Sequence, residues 1–281
     1  MEILSKKRCI IGEGPIWNAK ERVAYIMNGL ENEICKIDIS SGELRVLHTR
    51  KLVAALAFDK ENRMIASCLD GVFYLDGDEM TPLYDTEKYN ISGGNDMKVG
   101  PDGRIYIGTQ CEKRRGLSDK VDGKLYSIDK DGNVRVLLDG LILSNGMEWS
   151  MDEKRFYHTD SATQIIKEYS FDKESGDIEF TGRSVYVLGV DGFTIDKNDL
   201  LHVACWGQKH IAVVDTRNMD VIDYIDTPAT APASCAFVGE DMSHLLVVSA
   251  NYNDAYLQDE YAGFTFKKKM SVGGRTPYLF G

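Results

Sequence analysis

IWNAKERVAYI, from Ile16 to Ile26, decides the fold. An apolar residue closes one short stretch, a polar turn follows, and a second apolar stretch begins, which is the pattern of two antiparallel strands joined by a tight connection. The pattern returns as AFDKENRMIAS (Ala57 to Ser67), KVGPDGRIYIG (Lys98 to Gly108), EWSMDEKRFYH (Glu148 to His158), TIDKNDLLHVA (Thr194 to Ala204) and AFVGEDMSHLLVV (Ala236 to Val248). The residues just before the turns are Trp17, Phe58, Val99, Trp149, Ile195 and Phe237, spaced by 41, 41, 50, 46 and 42 residues. Six units averaging 44 residues result.

Two further alternating stretches follow the hairpin inside a unit, as in EICKIDIS then ELRVLHT, or GKLYSIDKDG then NVRVLL. Four strands per unit of this length is the period of a propeller blade. Long stretches of helical periodicity are absent, which removes alternating α/β and leucine-rich architectures. The expectation is an all-β chain, residues 1–281 forming one six-bladed β-propeller domain with four antiparallel strands per blade, and the residues on its central axis, taken up below, add the expectation of a metal site there. The segment from Ile3 to Ile10 reads as an extra strand that pairs with the last blade and removes an open edge. The tail from Asn251 to Gly281 reads as irregular, and the spacing of 50 places a longer loop in blade three, near Gln110 to Asp122.

The chain has 281 residues, with 33 Lys and Arg against 44 Asp and Glu, for a net charge of −11. That excess of acid argues against nucleic acid or an anionic membrane as partner, since both need a basic footprint. Hydrophobic residues at 43% are enough for a large core and too many for disorder. No apolar run approaches the roughly 18 residues of a membrane helix. Lys6, Lys7 and Arg8 precede no apolar stretch of signal-peptide type, so the expected location is cytoplasmic. Six scattered cysteines, without metal spacing, read as reduced thiols. A propeller closes its own edges, so a monomer or weak homo-oligomer is expected.

In such a ring the innermost strands line one channel, and equivalent positions converge near the axis. Four residues before the anchors stand Glu13, Ala54, Asn95, Asn145, Asp191 and Ala233. Two carboxylates and two carboxamides thus share one slot. The next slot holds Gly14, Ala55, Asp96, Gly146, Gly192 and Ser234, mostly small residues that permit crowding. Converging carboxylates and amides need compensating charge, which a hard divalent cation with oxygen ligands supplies. Ca²⁺, Mg²⁺ and Mn²⁺ suit the set; Zn²⁺ is less natural without His or Cys.

Several other residues carry no such pattern. His158 and His202 fall in second strands among apolar neighbours, and no His, Ser or Cys arrangement supports a triad. Cys205 and Cys235 approach the channel without a base beside them. Trp17, Trp149 and Trp206 read as packing anchors. Asp160 and Ser161 are placed to support Asn145.

The motifs GEGPIW (Gly12 to Trp17), GGND with KVGPDG (Gly93 to Gly103), SNGMEWS (Ser144 to Ser150), VDGFTID (Val190 to Asp196), HVACWG (His202 to Gly207) and the terminal TPYLFG are ordered along nearly the whole chain. Together they resemble the family of gluconolactonases, senescence marker protein (regucalcin) and luciferin-regenerating enzyme. The resemblance implies a six-bladed propeller with one catalytic divalent metal, Ca²⁺ foremost, and hydrolysis of a sugar lactone to its hydroxy acid. By motif it implies that Glu13, Asn145 and Asp191 bind the metal, that Asn95 contacts substrate or metal-bound water, and that Asp191 doubles as acid/base. Two positions depart from the pattern: Gly93 replaces an arginine that contacts substrate, and Val190 replaces a proline. Lys113, Arg114 and Arg115 in the blade-three loop could fold over the mouth, with Arg114 and Arg115 as substrate-binding candidates in place of the missing guanidinium. Two other readings stay open: hydrolysis of another ester or an organophosphate at the same metal site, or a non-catalytic propeller that binds metal or protein.

Overall fold

Each hairpin turn has a physical cause that repeats around the molecule. Arg22, Asn62, Gly103, Glu153, Asp199 and Met242 all take positive φ at equivalent turn positions. In two of these turns the preceding aspartate ties the loop: Asp59 Oδ1 accepts the N–H groups of Glu61 and Arg63, and Asp196 Oδ1 those of Asn198 and Leu200. Local side-chain acceptance of this kind is why Asp and Asn recur there.

The computed structural model describes residues 1–252 and 259–281. Six four-stranded antiparallel sheets form among the described residues; five pair each strand with the next in sequence, and the sixth takes its outer strand from the N-terminus. Their inner strands are Gly12–Asn18, Val53–Phe58, Gly94–Val99, Ser144–Trp149, Val190–Ile195 and Pro232–Val238. Successive inner strands pack on one another, and the last returns to the first, which closes the ring. All six anchors are buried where blades meet, Trp149 completely. Trp149 lies edge-on to Tyr106 of blade three with ring centroids 4.8 Å apart. Burial of each such large side chain contributes roughly 2–3 kcal/mol.

The sixth blade combines Pro232–Val238, His244–Ser249 and Thr265–Lys269 with Glu2–Ser5 from the N-terminus. Glu2 pairs with Lys267 and Ile3 with Phe266, so the expected closure is present in a strand shorter than the one read from sequence. The described part of the tail is less irregular than expected, since it supplies Thr265–Lys269 as a full strand, while residues 253–258 of that expectation lie outside the described residues. The long connection of blade three is where the spacing put it, between Ile105–Thr109 and Gly123–Ile128. Among the described residues the only helical segment is the three-residue turn Ser161–Thr163. None is long and apolar enough to cross a membrane.

One irregularity recurs in every blade. Pairing of the inner strand with its neighbour slips between Glu13 and Ile16, Val53 and Ala55, Gly94 and Met97, Ser144 and Met147, Val190 and Phe193, and Pro232 and Ser234. A bulge leaves residues unpaired and re-aims their side chains. The axial slot therefore falls within the bulge in five blades and, at Glu13, on its edge in blade one.

Candidate functional site

Those bulges bring Glu13, Asn95, Asn145 and Asp191 to the wall of one cavity, of about 990 Å³, at one end of the channel. Ala54 lines it as well. The narrow backbone at this level is what the small neighbouring residues permit. A Cβ on Gly146 would stand 2.6 Å from the carbonyl oxygen of Asp191 and 2.3 Å from the Phe193 ring, so only glycine fits beside Asn145.

A hydrogen-bond chain orients the amides. Gln110 Nε2 donates to Asn95 Oδ1 at 3.2 Å, Asn95 Nδ2 donates to the Ser144 carbonyl at 3.0 Å and toward Asn145 Oδ1 at 3.4 Å. Asn145 Nδ2 in turn donates to Ser161 Oγ at 3.1 Å. Asp160 holds the same corner by accepting the backbone N–H groups of Ile142, Leu143 and Ala162. Support of Asn145 by Ser161 agrees with the sequence reading, whereas Gln110 was not singled out there. Its signal is positional: Leu69, Gln110, Ser161 and Trp206 each follow the last residue of a second strand, and all face the cavity.

The carboxylates are crowded and short of partners. Asp191 is 7% exposed, and its Oδ1 has no hydrogen-bond partner. Burial, with the nearby Asp96 carboxylate, pushes Asp191 up to about 8 against the pull of Arg114 and Asn145. Burial and the charges of Asp191 and Asp96 also raise Glu13 well above the usual carboxylate range. Burial raises Asp96 too, although Lys98 opposes the shift.

An orphaned carboxylate oxygen, a second crowded carboxylate and oriented amide oxygens fit a hard divalent cation held by Glu13, Asn145 and Asp191. Among the described residues no three His, Cys, Asp or Glu side chains cluster for a metal, so the fit depends on the amide of Asn145 as well as on the carboxylates.

The two arginines separate. Arg114 lines the cavity and acts electrostatically on Asp191. Arg115 does not reach the lining: it packs over Gly93, where an added Cβ would lie 3.1 Å from its Nε, and donates to Ser92 Oγ at 3.2 Å.

Away from the site, His158 hydrogen-bonds Ser144 Oγ at 2.7 Å and His202 pairs with Asp196 at 3.2 Å, in keeping with structural roles. All six cysteines are buried and unbridged.

Fold and site together define a six-bladed propeller with an oxygen-donor set at one end of its channel. Residues 11–251 match the family model described as SMP-30/Gluconolactonase/LRE-like region, and the chain belongs to that family. Its relatives include the Bacillus subtilis protein named "Putative sugar lactone lactonase YvrE", 29% identical over 285 residues, with 97% of this chain and 96% of that protein covered. Regucalcin of Gallus gallus is 29% identical over 293 residues, covering 100% and 98%. The crystal structure of regucalcin from Agrobacterium tumefaciens, described as a calcium-binding protein, superposes with a TM-score of 0.88 at 26% identity over 99% of this chain and 96% of that one.

Proposed function

We propose that this protein is a divalent-cation-dependent hydrolase that opens a lactone to its hydroxy acid. The observation that carries the reading is Asp191: a buried carboxylate with an unpartnered Oδ1, beside Glu13 and Asn145, in the wall of the large cavity. Membership of a family whose relatives include a protein named as a lactonase supports the reaction class.

Glu13, Asn145 and Asp191 would hold the cation, with Ca²⁺ preferred to Mg²⁺, Mn²⁺ or Zn²⁺, and the cation supplies Lewis acidity toward an ester carbonyl. Asp191 would hold the cation through one carboxylate oxygen and accept on the other the proton lost by the attacking water, returning it to the alkoxide that leaves as the ring opens. Asn95, fixed by Gln110 and by the Ser144 carbonyl, keeps a lone pair on Oδ1 to position that water or a substrate hydroxyl. Arg114 brings positive charge to the wall, where it favours oxygen that becomes negative. The rigid strands need no rearrangement for this.

Acid release from a panel of lactones tests the reading, using chelator-stripped protein with each cation added back. Activity returns with the cation, and Asp191→Ala lowers kcat by about 10²- to 10⁴-fold while the far-ultraviolet spectrum stays that of a folded β-protein. Full activity in that variant rejects Asp191 as the acid/base group. The calcium-binding description of the Agrobacterium relative favours a second reading, a propeller that binds the cation without turnover. Tight cation binding with no acid release across the panel establishes it.

A further inference from the structure

The cavity has two unlike walls. Glu13 apart, the described residues that line it from blades one and two are Ile11, Gly29, Leu30, Leu52, Ala54 and Leu69, and none has a side-chain donor or acceptor. Blades three to five contribute Gln110, Arg114, Ser161, Gln164 and Gln208 on the other side, interspersed with Leu143, Ala162, Leu188, Val190 and Trp206, and Tyr252 adds one phenol at the margin of the apolar wall. Leu30 and Leu69 are 45% and 43% exposed, so two large aliphatic side chains face the open space rather than the core. A ligand fully hydroxylated around its ring would set several hydroxyls against Ile11, Leu30, Leu52 and Leu69, which have no group to pair them, and unpaired desolvated hydroxyls oppose binding. Apolar surface laid there is favoured.

We propose that the substrate is an amphipathic lactone: its ester group meets Asp191 and Asn95, its polar substituents face Gln110 and Arg114, and an alkyl or aryl arm lies along Ile11, Leu30, Leu52 and Leu69. The inference rests on the lactone hydrolase reading and narrows it to apolar-substituted rings rather than aldonolactones. The pattern also gives Gly93 a context, since the side chain missing there is the one that the related pattern uses on a polar substrate.

Two series of probes test it on the full-length, cation-loaded protein. In the first, γ-lactones with linear arms from methyl to hexyl are compared with aldonolactones. The expected kcat/KM rises about three- to fourfold per methylene over the first few, chiefly through KM, and exceeds that for the aldonolactones. In the second, the matching γ-lactams, which resist opening, are titrated by calorimetry, and their affinity climbs with arm length in the same way. Leu30→Gln and Leu69→Gln, at positions exposed enough to tolerate the change, flatten the lactam slope; Leu52→Gln does so if it folds. Lactams that bind with a chain-length slope while no lactone is opened uphold the amphipathic cavity and reject the hydrolase reading. Turnover of aldonolactones with no slope in either series overturns the inference and leaves the hydrolase reading standing.

Discussion

Gly93 stands where the related pattern has arginine, and its backbone explains why the arginine cannot simply be restored. Its φ is +82°, and a Cβ would lie 2.4 Å from the Gln110 carbonyl oxygen. The same glycine donates to the Leu69 carbonyl at 2.6 Å and accepts from the Gln110 N–H at 2.7 Å. Gly93→Arg is therefore expected to lose on the order of 1–3 kcal/mol in urea unfolding, and to disturb Asn95 through Gln110. Wild-type stability in that variant contradicts the argument. His158 makes a second prediction. Burial brings its pKa down to about 4, with Asp160 opposing and Lys167 reinforcing the shift. The folded state thus favours neutral imidazole, so the unfolded chain binds more protons between about pH 6.5 and 4. Stability from this residue is complete above pH 6.5 and is lost on acidification through that window, by up to about 3 kcal/mol. His158→Asn, compared with wild type by thermal melts from pH 7 to 4, flattens this part of the profile; parallel curves reject the assignment.

At the scale of elements, the hairpins were legible because their polar turns interrupt apolar runs at a fixed period. The bulges were not, since a bulge changes pairing register without changing the apolar alternation that a reader scores. Even so, the slot four residues before each anchor found the residues that the bulges re-aim. Sheet closure gives the prediction here. Glu2–Ser5 covers the outer edge of Thr265–Lys269, and Lys267 pairs with Glu2. Removing residues 1–5 leaves Thr265–Lys269 as an open edge, with an expected loss on the order of 2–4 kcal/mol and growing light scatter on heating. An unchanged melting midpoint without aggregation rules this closure out as a stabilising device.

Across the whole molecule, the last residues act as a strap over the channel end remote from the cavity. The Lys197 N–H bonds to Gly273, Gly274 to Met242, Phe280 to Phe58 and Gly281 to Gly103, so the segment ties four blades, while Tyr278 donates to Glu153 of another. Arg275 enters the channel, where it donates to the Trp149 carbonyl at 2.9 Å and to Glu148. Glu148 also takes Lys98 at 2.8 Å, and Lys98 opposes the raised pKa of Asp96 below the cavity. A buried charge that loses one partner is costly, so Arg275→Met is expected to destabilise by about 3–5 kcal/mol. Combining it with Glu148→Gln should cost well below the sum of the single losses, and strict additivity in urea unfolding sinks the proposed coupling.

Six polar turns at a regular spacing determined the propeller, and one residue position per repeat determined Glu13, Asn95, Asn145 and Asp191, because period and phase are properties of the chain itself. Tertiary structure decided what those residues meet. The orphaned Asp191 Oδ1, the separation of Arg114 from Arg115, the leucine wall and the strap around Arg275 all depend on side chains far apart in sequence reaching one volume. No local pattern encodes that distance. It emerges only when six blades close on a shared axis.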